Sequence, residues 1–160
     1  MPNNLDQLHN TRGVIFMRLI KRGMAVFCIL WVYSCVSTMR TPTSNEERIY
    51  LQNVESFPLR FVISKNEAGD AWGRAQSWIG RYSNMKIQVL SDYVIQTYNP
   101  REGSLNYGYY VTKTPVGENV EINVECISGN MFNKNKALRN ARILAYYIKT
   151  GKLMTQFIEQ

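Results

Sequence analysis

The chain has 160 residues, 45% hydrophobic and 19% charged, which is typical of a folded globular protein and unlike a disordered one. Its single histidine is His9, which excludes Ser-His-Asp and Cys-His catalytic arrangements and histidine-ligated metal sites from the rest of the chain. Of the net charge of +7, residues 1–35 contribute +3 (four basic against one acidic) and residues 36–160 contribute +4 (fifteen against eleven). Residues 36–160 are therefore only mildly basic, and this charge is weak support for a nucleic-acid partner.

The first patterned segment is a basic head, nine uninterrupted apolar residues and a short exit ending at Cys35. It reads MRLIKRGMAVFCILWVYSC from Met17. A basic head, a short apolar core and a small-residue exit are typical of a signal peptide. The residues before Met17 do not fit such a head, so we expect translation to begin at Met17.

Val32-Tyr33-Ser34-Cys35 resembles the lipobox of a type II (lipoprotein) signal, although Tyr33 departs from the small residue preferred there. The resemblance implies diacylation of the Cys35 sulfur, cleavage before it and acylation of the new amino group. It predicts a protein of the cell envelope, anchored to the membrane by an N-terminal lipid and facing the periplasm or the exterior.

Two other interpretations of this segment stay open. A membrane-spanning helix needs about 20 apolar residues, whereas only fourteen uncharged residues run from position 23 to 36. An uncleaved anchor would therefore be short. The other interpretation is a buried helix of the folded core.

Residues 36–54 are predicted to be a polar tether, because Ser, Thr, Pro and Asn dominate their first half. Residues 55–160 are predicted to form a single domain. Apolar periodicity gives a strand at 59–63, a helix from a capping box at 64–67 to about 81, strands at 85–89, 93–98, 107–111 and 120–126, and a helix at 134–150 that ends at Gly151.

This β-α-β-β-β-β-α order predicts an α+β fold: an antiparallel sheet of about five strands with two helices packed on one face. In element order alone, residues 58–151 are similar to one repeat of the TATA-binding-protein-like fold and to BamC-like domains of envelope lipoproteins. That similarity implies no shared function.

Several residues carry specific expectations. Cys126 continues the apolar stripe of Val120, Ile122 and Val124 and is expected to be buried. Trp72 is expected to be more buried than Trp78. Three glycines within the first predicted helix match no phosphate-binding motif and are expected to permit close packing on the sheet: Gly69, Gly73 and Gly80.

No catalytic residue, metal site or cofactor is predicted. Tyrosines concentrate on two strands and basic residues on the last helix, so the predicted contact surface comprises Tyr93, Tyr98, Tyr107, Tyr109, Arg139 and Arg142. The preferred hypothesis is a non-enzymatic module that contacts another envelope protein or a surface, with no nucleic acid expected. The alternative is a nucleic-acid-binding module with stacking tyrosines and a basic helix.

Overall fold

The structure, a computed structural model, describes residues 40–159. The predicted α+β class and antiparallel sheet of five strands are confirmed, and the described residues form three α-helices rather than two. The elements are α1 (Asn45–Ser56), β1 (Arg60–Ser64), α2 (Ala68–Tyr82), β2 (Ile87–Leu90), β3 (Val94–Thr97), β4 (Tyr107–Val116), β5 (Asn119–Ser128) and α3 (Lys134–Thr150), with short 3-10 turns at Met131–Asn133 and Thr155–Phe157.

The five strands form one open sheet in the order β1-β5-β4-β3-β2, and every neighbouring pair is antiparallel. Its centre is the long β4–β5 hairpin, which pairs Tyr107 with Ser128 at one end and Val116 with Asn119 at the other. The two-residue connection begins with Gly117 at φ 58°, a conformation that glycine adopts without steric cost.

α2 and α3 cover one face of the sheet. Alternate residues of the strands point into this covered face, and the helices meet them with small and aromatic side chains. Trp78 contacts Tyr109 edge to face, with ring centres 4.9 Å apart. The expectation for the tryptophans is wrong, because Trp78 is only 1% exposed and Trp72 is 6% exposed.

α1 was not predicted, and it contradicts the assignment of residues 45–54 to a tether. Ser44 and Glu47 form a complete capping box at its start. Tyr50, Leu51 and Val54 are buried in a second apolar cluster that includes Ile143 of α3. Ser44, in the Ser/Thr/Asn-rich stretch, is therefore the N-cap of α1.

The boundaries of the two predicted helices are nearly correct. Gly151 ends α3 in the left-handed conformation at φ 73°, as expected. The capping box expected at Ser64 is incomplete. The Glu67 carboxylate accepts from the Ser64 N–H at 3.4 Å, but the start of α2 has no hydrogen bond from a backbone N–H to a capping side chain. The glycines of α2 are exposed and contact no other element, so their predicted packing role is wrong.

Candidate functional site

No helix within residues 40–159 covers the second face of the sheet, and we call it the open face. Cross-strand pairing aligns Gln96, Tyr110 and Glu125 in one row on strands β3, β4 and β5. Alternation places Tyr98 and Ile127 on the same face, and both side chains are exposed. The open face thus presents aromatic, amide, carboxylate and aliphatic groups side by side.

A shallow groove of about 390 Å³ lies on the open face; its lining includes Gln96, Asn99, Gly108, Tyr110, Glu125 and Ile127. Gly108 forms its floor, since this position has no side chain. A Cβ there would lie 2.9 Å from Pro100 Cδ and 3.3 Å from Ile127 Cγ1. An isolated glycine in a strand pattern is a sequence signal for such a close approach, and Gly108 is not among the residues of the predicted contact surface.

Three charged side chains on the open face, those of Arg60, Glu121 and Glu125, have polar partners on the same face. The Arg60 guanidinium lies 3.8 Å from the Glu121 carboxylate. The Asn123 amide donates to Glu125 Oε1 at 3.0 Å. This side of the sheet therefore combines polar groups with an exposed apolar portion, and its two carboxylates give it no basic character.

The four predicted contact tyrosines lie in three different places. Tyr98 is on the open face. Tyr93 is exposed at the edge of the covered face, where Lys113 Nζ lies 5.8 Å from its ring centre and 4.8 Å from that of Trp72. Tyr107 and Tyr109 are buried in the core, so their assignment to a contact surface is wrong. Tyr110, which follows Tyr109 along β4, is the β4 tyrosine that reaches the open face.

Arg139 was predicted to be a contact residue, but it is buried. Its guanidinium lies 3.7 Å from the Glu159 carboxylate and 5.5 Å from the Phe157 ring centre, and it donates to the Arg40 carbonyl at 3.4 Å. These contacts hold the start and the end of the described chain against α3. Its assignment to a contact surface is therefore wrong.

Arg142 is half-buried and lines a small groove with Val54 and Glu55 of α1. This groove belongs to the helical side of the domain. The basic helix and the open-face tyrosines thus lie on opposite sides of the sheet and do not form one surface.

A cluster of polar side chains beneath the covered face links β4 and β5 to α3. Asn140 donates to the Tyr109 hydroxyl at 3.1 Å. Cys126 is opposite Tyr109 on β5 and is half-buried rather than fully buried as expected. Burial raises the pKa of Cys126 to about 12 and also raises the pKa of Tyr109. Both groups are thus held in the neutral form, and the Cys126 thiolate needed for nucleophilic attack is disfavoured.

Within residues 40–159, no cluster of three or more His, Cys, Asp or Glu side chains is arranged to hold a metal ion. In the same part of the chain no helix is both long and apolar enough to cross a bilayer. Cys35, the predicted lipidation residue, lies outside the described residues. Comparisons with family models, curated proteins and solved structures find no match to this chain.

Proposed function

We propose that this chain is a non-enzymatic binding protein of the cell envelope, attached to a membrane through Cys35, and that the open face binds another envelope protein. The observation that carries the proposal is the uncovered sheet face with its groove over Gly108. Tyrosine is enriched at protein interfaces, and an apolar patch rimmed by polar groups is typical of a binding surface.

The details of the open face favour a protein partner. Tyr98 and Tyr110 offer rigid amphipathic rings, and Ile127 adds an aliphatic contact beside the groove. Gln96 and Glu125 supply a donor and acceptors at its wall. Phosphate binding would instead call for an excess of basic residues on this face, where Arg60 is paired with Glu121 and Glu125 adds a second carboxylate.

The attachment half of the proposal is tested by fractionation of a bacterial host that processes lipoproteins. The full chain is expected to enter the membrane fraction with labelled palmitate, and Cys35→Ala is expected to remain unlabelled and unprocessed. The matched control is Cys28→Ala, which removes a thiol of the segment expected to be cleaved. Labelling that persists in Cys35→Ala contradicts lipidation at this residue.

The binding half is tested with a photo-crosslinking amino acid placed at Gln96 in the groove and, as a control, at Gln76 on the exposed side of α2. The Gln96 position is expected to give a discrete adduct, and the Gln76 position is not. The adduct's partner is then purified, and Tyr110→Ser is expected to weaken its binding at least tenfold while Tyr93→Ser leaves it within about twofold. Equal crosslinking from both positions, or equal binding by both variants, contradicts an open-face interface.

A further inference from the structure

The most exposed large hydrophobic side chains of the described residues are grouped at one end of the domain. Phe132 is 85% exposed, Met131 71% and Leu105 64%. We call these three residues the apolar tip. They lie on two neighbouring loops, because Gly103 N–H donates to the Gly129 carbonyl at 2.7 Å and Gly129 N–H donates to the Asn106 carbonyl at 3.3 Å.

The two loops are held in place, so the exposure of the tip is part of the fold. The Asn130 side chain accepts from Phe132 N–H at 2.9 Å and caps the 3-10 turn that carries both Met131 and Phe132. A Cβ at Gly129 would overlap the Arg101 carbonyl oxygen, so the loops are in close contact there. The turn thus presents its apolar side chains outward on a fixed base.

Two exposed cations lie beside the tip: Arg101 on one loop and Lys134 at the start of α3. Glu102 is an exposed carboxylate next to Arg101. Lys136, two residues into α3, is 3.3 Å from Glu159, and Arg139 is 3.7 Å from the same residue, so both side chains are already paired. An apolar tip beside exposed cations suits an anionic lipid surface, where rings enter the headgroup region and cations meet phosphates.

The chain enters the domain at this same end. Arg139, which contacts the Arg40 carbonyl, lies five residues after the start of α3, about 8 Å along the helix axis at 1.5 Å per residue. Arg40 is five positions after Cys35, and an extended chain of that length spans at most about 18 Å. A lipid on Cys35 would therefore hold this end of the domain close to the bilayer.

We propose that the apolar tip inserts into the headgroup region of an anionic membrane and orients the domain on it. The inference rests on the membrane attachment proposed above. The hairpin turn at Gly117, at the far end of β4 and β5, then points away from the bilayer, about 30 Å from the tip for strands of ten residues. The open face stands to the side, accessible to a partner.

The test uses the full chain with Cys28→Ala, Cys35→Ala and Cys126→Ala, so its outcome does not depend on lipidation, which the fractionation experiment measures separately. A nitrobenzoxadiazole label is attached to Phe132→Cys or, as the control, to Val116→Cys at the far end, where the native side chain is 52% exposed. The probe membrane is a vesicle of phosphatidylethanolamine and phosphatidylglycerol. We expect a blue-shifted label at position 132, quenched by nitroxide lipids, and a water-accessible label at position 116.

A label at position 132 that is as accessible to water as the label at position 116 overturns the proposal. The proposal is also overturned if the label at position 132 is shielded from water only in native membranes and not in protein-free vesicles. In that case a membrane protein, and not the lipid, covers the apolar tip. In a second measurement, Met131→Ser with Phe132→Ser is expected to lower partitioning into these vesicles roughly tenfold or more. The matched control, Leu90→Ser with Val116→Ser, is expected to change it less than about twofold, and equal effects of the two pairs overturn the proposal.

Discussion

The side chain of Asn140 pairs edge to edge with the backbone of Glu159. Its amide nitrogen donates to the Glu159 carbonyl at 2.8 Å, and its amide oxygen accepts from the Glu159 N–H at 2.8 Å. The same nitrogen donates to the Tyr109 hydroxyl. Because Asn140 is fully buried, this one residue joins α3, β4 and the C-terminal tail without access to water.

Asn140→Ala is expected to lower the free energy of unfolding by about 2–4 kcal/mol, because each polar group left buried without a partner costs about 1–3 kcal/mol. Chemical unfolding followed by circular dichroism measures the change. Asn135→Ala, at an exposed position of the same helix, is the control and is expected to stay within about 0.5 kcal/mol of the parent. Equal effects of the two substitutions would show that the Asn140 pairing does not stabilise the fold.

Trp78→Ala is expected to lower the free energy of unfolding by about 3–5 kcal/mol, because it empties the largest fully buried side-chain volume of the described core. Trp78 also loses its edge-to-face contact with Tyr109. Trp72→Ala is expected to cost less, since that ring lies nearer the surface beneath Lys113. A larger loss for Trp72→Ala, measured by the same unfolding experiment, would reverse this order.

The sequence predicts elements whose signals are local. β5 alternates between apolar and polar residues from Val120 to Cys126, and Gly151 follows the last turn of α3, so both appear where expected. α1 was missed because its buried side chains, Tyr50, Leu51 and Val54, are few and follow a stretch of linker-like composition. Its capping box at Ser44 was the available signal.

The candidate site was less predictable, because exposure depends on which sheet face the helices cover. Tyr107, Tyr109 and Val111 occupy every second position of β4, so their side chains share one face of the strand. Since Val111 is apolar, this pattern indicates that the two tyrosines point into the core with it. Arg139 lies on a basic run of the helix, but its burial follows from Glu159, twenty residues later. The periodicity of apolar residues within α3 cannot reveal this contact, because Glu159 lies outside the helix.

Replacing glycine by alanine is expected to change the free energy of unfolding in opposite directions at Gly129 and Gly73. Gly129→Ala is expected to lower the free energy of unfolding by about 1–3 kcal/mol, because its Cβ would overlap the Arg101 carbonyl oxygen and the loop must shift. Gly73→Ala, on the exposed side of α2 with nothing within 4 Å, is expected to raise it by about 0.5–1 kcal/mol. Thermal unfolding compares the two, and stabilisation by Gly129→Ala would contradict the close approach of the loops.

The start of α1 is expected to be acid-sensitive. Hydrogen bonds from the Thr43 backbone and side chain, with a smaller one from Gln156, lower the pKa of Glu47 to about 2. A carboxyl whose folded-state pKa is lowered contributes stability above its unfolded-state value, and that contribution is lost as the pH falls from about 4.5 to about 2. Glu47→Gln is expected to remove this part of the pH dependence of unfolding, and Glu46→Gln is expected to keep it. Identical acid profiles for the parent and Glu47→Gln would contradict the assignment.

Cys126 is expected to react slowly with thiol reagents in the folded chain. Burial raises its pKa to about 12, so little thiolate is present at neutral pH. The measurement uses Cys28→Ala with Cys35→Ala, which leaves Cys126 as the single thiol, and follows labelling by a disulfide reagent with and without urea.

The control moves the thiol by one residue. Glu125 lies on the open face next to Cys126, so Glu125→Cys combined with Cys126→Ala places the thiol on the opposite side of the strand. This variant is expected to react at the rate of an exposed cysteine without urea, whereas Cys126 reacts at that rate only in urea. Equal native rates at the two positions would mean that β5 is paired one residue out of register, because a shift of one residue exchanges the two faces.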